Sequence, residues 1–229
     1  MVNYMKQEVK DFFTGLSVVL LYLFSSFILI LVLSILHINF NNFNNTQKII
    51  SNITFELILI SIIVFIYRKI IINNIHKFKQ CKFINYLRYW FIALGLMMIC
   101  NILINTFFHI NTSSNQEEII KTFNKAPIYT LILATIFAPI LEELVFRLSI
   151  RKMFKNNIIF IIVSGLLFGL MHVIEANSIQ ELLFIIPYSI PGCIFAYTLI
   201  KSDNILVPIG LHFIHNSFMM IIQIILIFI

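Results

Sequence analysis

Long apolar runs alternate with short polar ones along the whole chain. The first run covers about 15–36 and is followed by the polar stretch HINFNNFNNTQK at 37–48. Further runs follow at about 49–67, 89–110, 127–150, 158–174, 182–200 and 207–229. Runs of this length, at 1.5 Å rise per residue, are those of helices crossing about 30 Å of hydrocarbon. The pattern therefore predicts an all-α fold, a polytopic transmembrane helix bundle of about seven spans, with a polar loop at 111–125 between the third and fourth. The first run is too long for a signal-peptide core and lacks a small-residue cleavage site, so it reads as a retained span. Pro187, Pro191 and Gly192 break the sixth run, which is expected to be kinked or re-entrant.

Composition agrees with the pattern. Hydrophobic residues make up 60% of the 229 and charged residues 11%, with a mean hydropathy of +0.96. A soluble globular domain of this length does not need so much apolar surface. The expected partner is the lipid bilayer and the expected location a cell membrane, as a multi-pass protein. Heavy use of Ile, Phe, Asn and Lys points to an AT-rich bacterial genome.

The net charge of +6 invites a nucleic-acid reading, which the positions of the basic residues replace with membrane orientation. With the N-terminus inside, thirteen of the sixteen Lys and Arg fall on the cytoplasmic side: Lys6, Lys10, Arg68, Lys69, Lys77, Lys79, Lys82, Arg88, Arg147, Arg151, Lys152, Lys155 and Lys201. Lys48, Lys121 and Lys125 fall outside. Loop bias of this kind predicts N-in, C-out. Cys81, Cys100 and Cys193 have neither metal-ligand nor disulfide spacing.

Chemistry concentrates in the second half, so the chain divides into N-terminal spans without motifs (1–125) and a motif-bearing membrane core (126–229). In APILEELVFR, at 138–147, Glu142, Glu143 and Arg147 interrupt an apolar span. Ionised groups in hydrocarbon are costly and mark function by default. Glu143 and Arg147, four apart, share a helix face and pair, while Glu142 points about 100° away and is left for chemistry. Pro139 cannot donate its backbone N–H, so a bent helix with free carbonyls is expected there. FGLMH (168–172) and HFIHN (212–216) add His172, His212 and Asn216. Counted from the chain turns, His172 lies within about 5 Å of the depth of Glu142, and His212 is about 7–8 Å shallower. Tilt can close that gap, so the three motifs can meet.

A carboxylate can take a proton from water, a histidine can hold that water or pass the proton on, and His or Asn donors can stabilise an oxyanion. The same residue types could ligate a divalent metal such as zinc, although no HExxH is present, and no cofactor is assigned. In this order, EExxxR, FxxxH and HxxxN resemble the CAAX-protease and bacteriocin-processing (CPBP, or Abi) family of intramembrane endopeptidases. The likeness covers about 127–216. It implies that Glu142 and His172 activate water, that His212 and Asn216 stabilise the oxyanion, and that Glu143 and Arg147 support them. The implied substrate is a membrane-associated peptide or protein, of CAAX, bacteriocin or signalling type, met in a cavity open to the cytoplasm, with no nucleic acid involved. Two rivals remain: a non-catalytic membrane scaffold or bacteriocin-immunity protein, and a proton-coupled transporter using the same ionisable groups.

Overall fold

The computed structural model describes residues 2–228, and all regular elements among them are helical. The first apolar run is two helices, α1 (Val2–Leu23) and α2 (Ser25–Ile35), bent by 64° around Phe24. Next comes α3 (Asn45–Phe78), started by a reciprocal capping box between Asn44 and Gln47. Helix α4 (Leu87–Phe108) ends at His109, in the left-handed conformation with φ 57°. The stretch expected to be a polar loop at 111–125 contains a helix, α5 (Ser114–Lys125), whose first turn is capped by Ser113 accepting from Gln116 N. The S-x-x-Q spacing at 113–116 is the sequence signature of that cap.

Helix α6 (Pro127–Met153) carries EELVFR and is followed by α7 (Asn157–Met171), α8 (Ile185–Ser202) and α9 (Leu206–Phe228). Five helical stretches among the described residues are long and apolar enough to cross a membrane, or six if the bent α1–α2 pair is one span. The difference from seven lies mainly in the fifth run. Helix α7 has 15 residues, about 22 Å of rise, because the chain leaves the helix just after His172. The sixth run is not broken: Pro187 lies in the first turn of α8, where its missing N–H is no loss, and the helix continues through Pro191. The last residue of the seventh run, Ile229, lies outside the described residues.

Helix α6 is the centre of the bundle. Val145, Phe146 and Ile150 are buried against Val18 of α1, Ile63 of α3 and Phe160 of α7. Large apolar side chains elsewhere, such as Phe65, Phe91, Ile102 and Ile158, point outward, as expected where the surrounding solvent is lipid. Small residues bring α7 and α8 together: a methyl group on Gly165 would collide with Cys193, and one on Gly192 would meet the backbone of Gly165. Close backbone approach over small residues is how membrane helices gain packing energy where lipid is as apolar as the side chains.

Polar contacts mark the two ends of the bundle. At one end, Lys77 pairs with Asp203 at 3.0 Å and Asn204 donates to the Asn74 carbonyl. Lys152 and Lys155 reach Asp11 at the same end, at 2.6 and 3.7 Å. At the other, Ser113 and Tyr188 hydroxyls meet at 2.8 Å, and the backbone N–H of Ser114 donates to Glu181.

Gly165→Val is expected to destabilise the protein by about 1–3 kcal/mol through overpacking, read as a lower thermal unfolding midpoint in detergent. Gly95→Ala, at a position with nothing within 4 Å of an added methyl, should leave that midpoint unchanged.

Candidate active site

Two π-helical turns, Leu133–Phe137 and Leu144–Ser149, interrupt α6 and set the directions of its polar side chains. Both have local causes. In the first, the Ala138 N–H bonds Leu133 O, five residues back. In that register Pro139 would serve the Ala134 carbonyl but has no N–H to give. Asn216 Nδ2 donates to that carbonyl instead, at 2.8 Å. The free carbonyl expected around Pro139 is thus taken by a side chain from α9. In the second turn, buried Ser149 donates to Leu144 O at 2.9 Å and shares a 2.8 Å hydrogen bond with Tyr67.

Glu143 and Arg147 form the expected pair, with Arg147 Nε 3.0 Å from Glu143 Oε2 and both side chains fully buried. The Nε–H is not aimed at that oxygen, so the attraction is Coulombic more than a directed hydrogen bond. Arg147 Nη1 donates to Ser164 Oγ of α7 at 3.0 Å, and Ser164 donates to Phe146 O. The guanidinium also lies 4.8 Å from the Phe168 ring centroid, a cation–π distance. Ser164, which carries no sequence signal beyond being a serine in an apolar run, is therefore part of the charge cluster.

Glu143 does more than pair with arginine. His212 Nδ1–H donates to Glu143 Oε1 at 2.9 Å, which leaves Nε2 facing Glu142 Oε2 at 3.8 Å. His212 thus stands between the two glutamates, one held by Arg147 and the other, Glu142, lining the cavity. Glu142 has the orientation expected of it, away from the ion pair. His172 Nδ1–H donates to the Phe168 carbonyl at 2.8 Å, so its Nε2 carries the free lone pair. The Phe168 ring touches both histidines, 4.5 Å from His172 and 5.6 Å from His212. Phe168 of the FxxxH motif is thus the ring on which Arg147, His172 and His212 rest.

All four residues expected to do chemistry, Glu142, His172, His212 and Asn216, line one cavity of about 580 Å³. His215, expected to pack, lines it too, buried against Phe195. Tyr188 was not visible from the sequence. Its ring stacks on His172 at 4.6 Å and 27°, and its hydroxyl is held by Ser113. The cavity extends from Glu142 to Asn111, Asn115 and Gln116 at the start of α5. That end is opposite the one carrying Lys77, Arg151 and Lys201. Among the described residues, no three His, Cys, Asp or Glu side chains are arranged to hold a metal ion. His212 Nδ1 and His172 Nδ1 are both engaged in hydrogen bonds, which leaves the Nε2 of each ring free.

Removing one partner of the buried pair should cost more than removing both. Arg147→Met leaves a buried carboxylate without its cation and is expected to destabilise by about 3–5 kcal/mol. Adding Glu143→Gln to that variant should recover part of the loss, measured by unfolding in detergent.

Residues 124–218 match the family model described as Rce1-like, type II CAAX prenyl endopeptidase Rce1-like. The chain is 31% identical over 114 residues to the putative membrane peptidase YdiL of Bacillus subtilis (strain 168), an alignment covering 48% of this chain and 43% of that protein. It is 35% identical over 120 residues to the membrane-embedded CAAX protease MroQ of Staphylococcus aureus (strain USA300), covering 48% of this chain and 45% of the relative. The chain thus spans less than half the length of these curated relatives. Their names speak of a membrane peptidase and a CAAX protease, not of bacteriocin immunity. No solved structure matches. The match contains EExxxR, FxxxH and HxxxN in order, and it is over residues 124–218 that this multi-pass membrane protein is similar to the Rce1-like type II CAAX prenyl endopeptidases.

Proposed function

We propose that this protein is an intramembrane endopeptidase that hydrolyses a peptide bond with water activated by Glu142. The observation that carries this reading is the division of labour between adjacent glutamates: Glu143 is occupied by Arg147 and His212, while Glu142 faces a cavity shared with His172, His212 and Asn216. A water between Glu142 and His172 Nε2 gives its proton to Glu142 and attacks the scissile carbonyl. His172 Nε2 accepts that water's second hydrogen, which orients its lone pair. Asn216 has a second amide hydrogen beyond the one engaged with Ala134 O. That hydrogen, together with an Nε2–H on protonated His212, stabilises the tetrahedral oxyanion. Glu142 then returns the proton to the leaving amine, so no proton is gained or lost over the cycle.

In this scheme Tyr188 and Phe168 are positioning residues. They hold the His172 ring between them, and the Phe168 carbonyl sets its tautomer.

Purified protein in lipid should cleave membrane-associated peptides, and Glu142→Gln and His172→Ala should each lower the rate by at least about 100-fold, the size of a lost acid–base contribution. Cleavage is expected to survive a chelator. Loss with chelator and recovery with added zinc would instead establish a metal-dependent enzyme, and intact wild-type protein that cuts nothing would establish a scaffold. Tyr188→Leu should lower kcat by about 2–10-fold, the worth of one aromatic contact, with KM little changed. Tyr188→Phe, which keeps the stack and loses only the Ser113 bond, should retain more of the rate.

A further inference from the structure

The side from which substrate arrives can be read from the two ends of the bundle, given the protease reading above. One end gathers the turn between α3 and α4, the turn between α6 and α7, and the turn between α8 and α9. Contacts of Lys77 with Asp203 and of Lys152 with Asp11 tie these turns and the start of the chain together. Apart from buried Arg147, all the Lys and Arg residues except three lie toward this end, and the three, Lys48, Lys121 and Lys125, lie toward the other. A bias of this size marks the basic end as cytoplasmic.

The catalytic cavity belongs to the opposite end. From Glu142 it runs past Asn101 of α4 and Gln223 of α9 to Asn111, Asn115 and Gln116. A separate cleft of about 630 Å³ at the basic end, lined by Lys77, Lys82, Arg88 and Lys201, shares no residue with it. The lining also has a chemical signature. Among the described residues it includes no lysine and no arginine, its carboxylates are Glu142 and Glu118, and six carboxamides supply paired donors and acceptors. Carboxamides suit the N–H and C=O groups of an extended peptide backbone. A chain-terminal carboxylate would find no lysine or arginine there and two carboxylates in its way.

We propose that the cavity is entered from the extracytoplasmic side and takes an internal, neutral or cationic segment of a peptide exposed there, and not a C-terminal carboxylate presented from the cytoplasm. Asn111, Asn115 and Gln116, at the start of α5, form the entrance, and the segment passes along the carboxamides to Glu142.

Two measurements test this on the full chain. Native Cys81 reports the basic end, and Glu117→Cys in a Cys81→Ser background reports the exposed face of α5. In intact spheroplasts a membrane-impermeant maleimide should label the introduced cysteine at 117, and label Cys81 only after permeabilisation. The Cys81→Ser protein alone sets the background from Cys100 and Cys193. Reversed labelling overturns the proposal. In proteoliposomes, internally quenched peptides should be cut equally well as C-terminal amides and as free acids. Lys-flanked sites should be cut at least about 10-fold faster than Asp-flanked ones at low salt, as expected of electrostatic attraction in a cleft. Dependence on a free C-terminal carboxylate, or on a prenyl group beside it, overturns the substrate assignment. If labelling is as expected but wild type cuts no peptide, the protease reading fails and takes the substrate assignment with it, while the orientation stands.

Discussion

A guanidinium and a carboxylate at zero solvent exposure, inside a bundle that lipid surrounds, set the terms for the rest of this structure. Each charge alone would cost several kcal/mol to hold away from water. Together they remain costly unless further polar groups reach them. The fold meets that demand from three helices: Glu143 and Arg147 from α6, Ser164 and the Phe168 ring from α7, and His212 from α9. The ion pair is therefore also the point at which those helices are brought into register. A helix placed one residue out of phase would leave a buried charge unanswered.

The same pair explains why two adjacent glutamates are useful. Glu143 is committed on both oxygens, one near Arg147 and one accepting from His212, so it orients a histidine and leaves Glu142 as the carboxylate facing the cavity. The π turns serve this arrangement. A π turn adds a residue to the helix and shifts every side chain after it around the axis. With one on each side of Ala138–Glu143, the two glutamates face different neighbours while α6 continues as one rod. The backbone group that Pro139 leaves unserved is answered by Asn216, so a defect in one helix becomes an attachment point for another.

Cavity chemistry follows from which ends of which helices surround it. Helix α7 stops at Met171, and the chain leaves toward Tyr188 just where His172 reaches the level of Glu142. A full-length span would have filled that space with apolar side chains. The shortness of α7 and the docking of α5 through Ser113, Ser114 and Glu181 leave room for polar groups within the bundle.

The linear pattern by itself determined the class of fold and the identity of the charged residues, because hydrocarbon imposes so strong a constraint that apolar runs and their interruptions are nearly unambiguous. The Glu143–Arg147 pair was legible from i,i+4 spacing, and the convergence of the three motifs from counting residues to the turns. Spacing along one helix could not show that His212 bonds Glu143 at all. That contact joins residues 69 positions apart and depends on how α6 and α9 rotate against each other. Tyr188 and Ser164 escaped for the same reason, since each matters only through a neighbour on another helix. The length of α7, the helix at Ser114–Lys125 and the end toward which the cavity extends were likewise decided by packing. Hydropathy reports whether a segment prefers lipid to water, and it carries no information about which neighbour covers it.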